Sequence, residues 1–315
     1  MCGIVGLFLK DPALEPKLGA MLTEMLITMT DRGPDSAGIA IYGHPVHGQA
    51  KLTVQSPEPG KDFRGLADDL SAVIGAPVTG DIKDTHIVLH LPADRLEEAR
   101  AALAGLRPSA TVMSAGEGIE IYKEVGLPVE VADFFHLRQA RGSHAIGHTR
   151  MATESAVTTA GSHPFSTGSD LCLVHNGSLS NHNRLRRRLE KAGAIFRTDN
   201  DSEVAAQYLD VQMRQGASLE QALYSALDDL DGFFTFTVGT SDGFAVLRDP
   251  IACKPAVMAE TGDWVAMASE YRALAGLPGV ETARVWEPEP ATVYVWEQGG
   301  RGRTASKRAH EVASA

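Results

Sequence analysis

Apolar residues recur with two spacings along this chain, and the two alternate. Ile4-Val5-Gly6-Leu7-Phe8 is a short unbroken run closed by Asp11-Pro12, which predicts a buried strand almost at the chain start. From Glu15 to Thr30, Leu18, Met21, Leu22, Met25, Leu26 and Met29 recur at three- and four-residue steps. That predicts a helix with a core-facing methionine stripe. "DRGPDSAGIAIYG" is a Gly/Pro turn leading into an apolar strand. Beyond Gly43 the pattern loosens. Strands are predicted over Asp84–Leu91 and Glu117–Val125, with a helix from Pro92 to Leu106 between them, so the segment reads as a small β-α-β insertion at about 44–114.

From Ser143 onward strands return in quick order. "HAIGHTRMAT" and "LCLVHNGSL" precede helices from about Asp201 to Arg214 and from Ser218 to Asp228. "GFFTFTVGT", "GFAVLRD", "AVMAE", "WVAMASE" and "ATVYVWEQ" then follow with short turns between them, which points to antiparallel pairing. The architecture this predicts is α+β, with sheets covered by helices.

Composition narrows the picture. The 315 residues are 43% hydrophobic and 22% charged, enough to bury a sizeable core. No apolar run approaches the ~20 residues of a membrane helix, and the N-terminus lacks the pattern of a secretory leader, so the expected location is cytoplasmic with no membrane partner. Cys2, Cys172 and Cys253 are too scattered for a disulfide framework or a zinc site and are expected to be reduced. A formal net charge of -11 argues against nucleic acid as a partner. The basic stretch Asn183–Gly193 places Leu185 and Leu189 at helical spacing, which fits a solvated helix face better than a phosphate patch. His86 and His90 share one strand face, as two metal ligands would, yet no carboxylate or cysteine falls at matching spacing. Packing or surface roles fit them better. Residues 298–315 are small, polar and basic, the composition of a flexible tail.

The candidate chemistry begins at Cys2. Removal of Met1 would leave one residue carrying both a thiol and a free α-amino group. With intrinsic pKa values of about 8.5 and about 7.7–8.0, the amine can accept the thiol proton near neutral pH. By itself Cys2 is more simply read as a small apolar residue in an edge strand. In "VHNGSLSN", Asn176 and Gly177 follow a buried strand, where a side-chain amide and a backbone N–H can point at one oxyanion; an ordinary Asn-Gly turn is the plainer reading. Arg150 stands near the end of the strand in "GHTRMAT", where its fork suits a carboxylate and where a surface ion pair would also fit. Asp201 begins a helix in "RTDNDSEV"; capping explains it, and so does pairing with a ligand ammonium.

Taken in order, "MCGIVG", "RGPDSAG", "GHTRMAT", "HPF", "HNGSLSN", "DSEV", "RDPIACKP" and "MASEYRAL" resemble the successive motifs of class II glutamine amidotransferase domains, which are N-terminal nucleophile hydrolases. They span Cys2 to Leu274. The resemblance implies a four-layer αββα fold over residues 2–297 and hydrolysis of glutamine to glutamate and ammonia. It implies Cys2 as nucleophile, Asn176 and Gly177 as oxyanion hole, and Arg150, Thr153, Asp201 and Arg32 around the substrate. No metal or organic cofactor is expected. After Arg150 the family often has an aromatic residue, whereas this chain reads Met151-Ala152-Thr153-Glu154-Ser155; Glu154 adds negative charge near the expected pocket. No acceptor domain is recognisable after the amidotransferase motifs. The chain is therefore expected to resemble the free-standing glutaminase-type subunits of glutamate synthase-like complexes, N-methylglutamate synthase above all, and to hand ammonia to separate, flavin-binding synthase subunits. A hydrolase of a related γ-glutamyl amide and a non-catalytic assembly subunit are the alternatives.

Overall fold

The computed structural model describes residues 2–152 and 157–299, together with the backbone of Arg303 and Thr304. Thr153 and Glu154, and the tail apart from those two backbone units and Gln298 and Gly299, lie outside the described residues. The chain runs β1 (Gly3–Leu9), α1 (Leu18–Thr28), β2 (Ser36–Tyr42), β3 (Gln49–Gln55), α2 (Pro59–Asp62), α3 (Leu66–Ile74), β4 (Thr79–Lys83), β5 (His86–Pro92), α4 (Leu96–Leu106), β6 (Thr111–Gly116), β7 (Ile119–Val125), α5 (Pro128–Phe134) and β8 (His144–Arg150). Its second half continues with β9 (Phe165–Ser166), β10 (Cys172–Leu179), α6 (His182–Lys191), α7 (Asp201–Arg214), α8 (Leu219–Asp229), β11 (Gly232–Thr240), β12 (Gly243–Arg248), β13 (Val257–Glu260), β14 (Trp264–Ala268), β15 (Arg284–Trp286), β16 (Thr292–Glu297) and β17 (Arg303–Thr304).

Two antiparallel sheets form the centre, ordered β15-β13-β14-β1-β8-β2-β7 and β17-β16-β12-β11-β10-β9. The alternation of side chains along each strand builds three apolar layers from these two sheets. In β1, Val5, Leu7 and Leu9 turn outward to α1, while Ile4 and Phe8 turn inward to the second sheet. In β12, Phe244 and Val246 meet the first sheet, and Ala245 and Leu247 meet α7 and α8. Burial on both faces is why β1 reads as a continuous apolar run and not as an alternating one. The result is the four-layer αββα arrangement.

The helix predicted from Glu15 divides. Pro12–Lys17 is a 3-10 turn and the α-helix proper begins at Leu18, because Pro16 has no N–H to give to a helical ladder. The segment after Gly43 is richer than its pattern suggests. A third antiparallel sheet, β4-β5-β3-β6, carries α3 and α4 on one face and closes its own core around Leu52, Val54, Leu66, Leu70, Leu89 and Leu103. The strand predicted at 117–125 is β7, which pairs with β2 in the first central sheet and so links this lobe to the main body. The other face of the lobe rests on that body: buried His86 meets the ring of Phe135 edge-on at 4.7 Å between centroids. His90, on the same face, lies 3.2 Å from Asp81 at the surface. Among the described residues no helix is long and apolar enough to cross a membrane.

Candidate active site

Cys2 lies one residue beyond the start of β1, whose pairing with β8 sets Gly3 against Thr149 and Ile4 against His148. That register brings Cys2 to the end of β8 that carries Arg150, and the Cys2 Sγ is 4.0 Å from the Met151 carbonyl oxygen. The terminus is tied down on its other side as well. Ile4 donates its N–H to Ser269 Oγ at 2.9 Å, and the Arg32 Nε donates to the Cys2 carbonyl at 3.0 Å. Arg32 also reaches Glu270 through Nη1 at 2.7 Å, and its Nη2 is buried without a partner among the described residues. That hydrogen bond, with Arg272 beside it, holds the Glu270 carboxyl below the usual carboxylate range. A chain end that would otherwise fray is thereby fixed, with a half-buried thiol at its tip.

The second sheet meets this end where His148 Nε2 on β8 lies 3.1 Å from the His175 carbonyl oxygen on β10. Asn176 and Gly177 follow immediately. The Asn176 side chain is buried, and its Nδ2 has no hydrogen-bond partner among the described residues. Such an unpaired donor is expensive in a folded interior. Gly177 has φ +153°, and a Cβ there would stand 2.0 Å from the Phe233 carbonyl oxygen, so only glycine fits. The neighbouring His175 gives Nδ1 to a 2.9 Å contact with Ser202 Oγ.

The charged candidates flank this pair. Asp201 opens α7, but the helix is capped by Asn200, whose Oδ1 accepts from Ser202 N at 2.9 Å. Asp201 instead accepts the Leu179 N–H at 2.9 Å, which fastens α7 to the end of β10 and leaves the carboxylate 22% exposed. Arg150 is buried at the end of β8, with Nη1 beside Gly161. The Gly161 carbonyl accepts from Asn200 Nδ2 at 3.4 Å, so the loop 157–164 spans the space between the Arg150 and Asp201 elements. Thr153 lies outside the described residues.

Several residues at the site were not singled out by sequence. Asp35, in "RGPDSAG", accepts the Ala152 N–H at 2.7 Å and donates its own N–H to the Arg150 carbonyl at 3.0 Å, pinning the strand end behind Arg150. Glu270, in "MASEYRAL", holds Arg32. Three buried histidines line the inner wall: His148 and His163 stack at 3.9 Å between centroids, and His175 follows them. Burial lowers all three pKa values, His148 to about 3. The thiols also differ. Cys172 is buried against Tyr42 Oη at 3.2 Å and pushed up to about 12 by burial, while Cys253 is on the surface. Among the described residues no group of three or more His, Cys, Asp or Glu side chains could hold a metal ion.

The chain as a whole is similar to known proteins. Residues 148–276 match the family described as the glutamine amidotransferase domain. The glutamine amidotransferase-like protein GlxB of Rhizobium meliloti (strain 1021) is 64% identical over 297 residues, covering 94% of this chain and 98% of that protein. A Methanothermobacter thermautotrophicus protein provisionally named a glutamine amidotransferase is 34% identical over 311 residues, covering 94% of this chain and 100% of its own. Among solved structures, the glutamine phosphoribosylpyrophosphate amidotransferase from B. subtilis superposes with a TM-score of 0.61 at 22% identity, over 96% of this chain and 49% of that one. The chain thus spans about half of that structure, and the likeness is one of fold.

Proposed function

The chain belongs to the class II glutamine amidotransferases and has their N-terminal nucleophile hydrolase fold, and we propose that its chemistry runs through a Cys2 thioester. As an enzyme of glutaminase type it releases ammonia from glutamine for an acceptor. In the proposed mechanism the Cys2 α-amine takes the thiol proton, and the thiolate attacks the side-chain carboxamide carbon. The oxyanion that forms is received by Asn176 Nδ2 and the Gly177 N–H. Collapse of the tetrahedral intermediate breaks the C–N bond, the amine returns the proton to the leaving ammonia, and water hydrolyses the thioester to glutamate. Arg150 takes the α-carboxylate of glutamine and Asp201 its ammonium, with Arg32 holding the backbone of the nucleophile. One observation carries the reading: among the described residues Asn176 keeps a buried donor without a partner, next to a glycine that no other residue could replace, on the side of the sheets where Cys2 sits.

We further assign the acceptor to a separate polypeptide, a flavin-binding synthase subunit of the glutamate synthase or N-methylglutamate synthase type. The support is the Rhizobium meliloti relative, 98% of whose length is matched, which leaves that protein little room for an acceptor domain of its own. Purified chain should release glutamate and ammonia in equal amounts from glutamine, and faster when the products of its neighbouring genes are added. Diazo-oxo-norleucine should label Cys2 and spare Cys172 and Cys253. Labelling of either other thiol would move the nucleophile, and no glutamate release with or without partners would end the reading.

The oxyanion assignment predicts a split between turnover and binding. Asn176→Ala should lower kcat by roughly 10²–10³ and change KM for glutamine little. Arg150→Lys keeps the charge and loses the fork, so it should raise KM instead. Steady-state kinetics that found Asn176→Ala silent would reduce the "HNG" stretch to a piece of the β10 ladder with no part in catalysis.

A further inference from the structure

Lys123 is buried in the edge strand β7, and no carboxylate is paired with it among the described residues. It falls on the same face of β7 as Ile119 and Ile121, the face turned toward the second sheet. Its three N–H donors go to three main-chain carbonyls of a single loop: Ser162 at 2.7 Å, Pro164 at 3.1 Å and Ala160 at 3.4 Å. The Phe165 ring lies 4.9 Å from Nζ and covers what remains. Burying an ammonium without a counter-ion is costly. Burial pushes the Lys123 group down to about 7, with Glu203 opposing and Arg197 adding to the fall.

Two details show how closely the surroundings are shaped to this side chain. Gly38 stands opposite Lys123 in the β2–β7 ladder. A Cβ on Gly38 would come within 2.5 Å of the Lys123 Cβ and 2.2 Å of the His163 carbonyl, so the glycine of "DSAG" is the gap through which loop and lysine meet. The next residue of the strand, Glu124, accepts a hydrogen bond from Thr159 Oγ1 in the same loop. Consecutive residues of β7 thus hold both ends of the segment 159–164. Between those ends, Gly161 packs on Arg150 Nη1 and accepts from Asn200, the cap of the helix that begins with Asp201.

We propose that Lys123, with Glu124, is a positioning residue for glutamine: it clamps loop 159–164 and so sets the distance between Arg150 and Asp201. This rests on those two residues being the handles for the α-carboxylate and ammonium. Lys123 touches neither glutamine nor Cys2. It acts on the separation of two charges, and orientation of that kind shows in binding before it shows in chemistry.

Lys123→Met preserves the length and removes the charge and donors. It should raise KM for glutamine at least 10-fold while kcat stays within about 3-fold, and the penalty should shrink for glutaramate, which lacks the ammonium and uses one handle only. Glutamine binding by calorimetry to Cys2→Ala and Cys2→Ala/Lys123→Met chains repeats the comparison without turnover. Absence of glutamate release by the unaltered chain would therefore overturn the glutaminase reading and still leave the clamp measurable. Should Lys123→Met fail to fold, Thr159→Val removes the other tie from a partly exposed position and must raise KM for glutamine at least 2-fold. Unchanged glutamine affinity in a folded Lys123→Met chain, an equal loss for glutamine and glutaramate, or a silent Thr159→Val would each overturn the proposal.

Discussion

Cys2→Ala is expected to lower glutamine hydrolysis by roughly 10⁴-fold or more, because it removes the atom that forms the covalent intermediate. Retention of Met1 should be nearly as damaging by another route. With Met1 attached, the nitrogen of Cys2 belongs to an amide, which neither accepts the thiol proton nor returns it to ammonia, and general acid–base catalysis of this kind contributes about 10²–10⁴. The two changes are separable. Intact-mass measurement on active enzyme should give a chain beginning at Cys2, and a chain forced to keep an N-terminal residue should bind glutamine yet barely turn it over. Active enzyme that carries Met1 would refute an amine-assisted thiolate. Folding should survive both changes, since the terminus is anchored by the Ile4–Ser269 pair and the Arg32–Cys2 carbonyl bond, which do not use the thiol.

Where the sequence spoke clearly, it did so because the local pattern and the tertiary role coincide. β1, β8, β10, β11 and β12 are apolar strands buried by the layers around them, and α7 and α8 fall within one residue of their predicted ends. Arg150 stands at a strand end and Asp201 at a helix start, where side chains of those types invite a chemical reading, whereas Asn176 and Gly177, expected to follow a strand, lie inside β10 opposite Thr235 and Phe234 because the ladder with β11 continues through them. The lobe was less legible. β4 is "TGDIK", an exposed strand with no alternation, and β3 and β6 carry polar residues on the face that docks on the main body. Lys123 was invisible for a related reason: in "EIYKEV" it occupies what looks like a solvent position, and it is buried only because loop 159–164, about forty residues later in the chain, folds across the edge of the sheet.

Mild acid should unfold this protein well before its carboxylates titrate. Burial depresses the pKa of His86 to about 3, of His144 to about 4 and of His148 to about 3, and drives His163 and His175 down as well. His163 shows why: neither ring nitrogen has a partner among the described residues, and it stacks on His148, so a proton would create an unsolvated charge beside another imidazole. Each imidazole is neutral when folded and titrates near 6.5 when unfolded, so the unfolded chain binds more protons below that pH. The stability these groups contribute is full above pH ~6.5 and is lost as pH falls through the interval down to their folded values. With His86, His144, His148 and His163 unprotonated in the native state, the slope near pH 5 approaches four protons, about 5–6 kcal/mol per pH unit as an upper bound. A domain's whole stability is about 5–15 kcal/mol. Urea titrations at pH 7, 6 and 5 should therefore show the midpoint falling steeply, with unfolding in buffer alone above pH ~4. His163→Phe keeps a ring against His148 and removes one titrating group, so it should reduce the slope by about one proton. A slope below two protons between pH 6 and 5 would mean that these histidines find solvent or partners in the folded chain, and the tightly closed inner wall described for the site would be wrong.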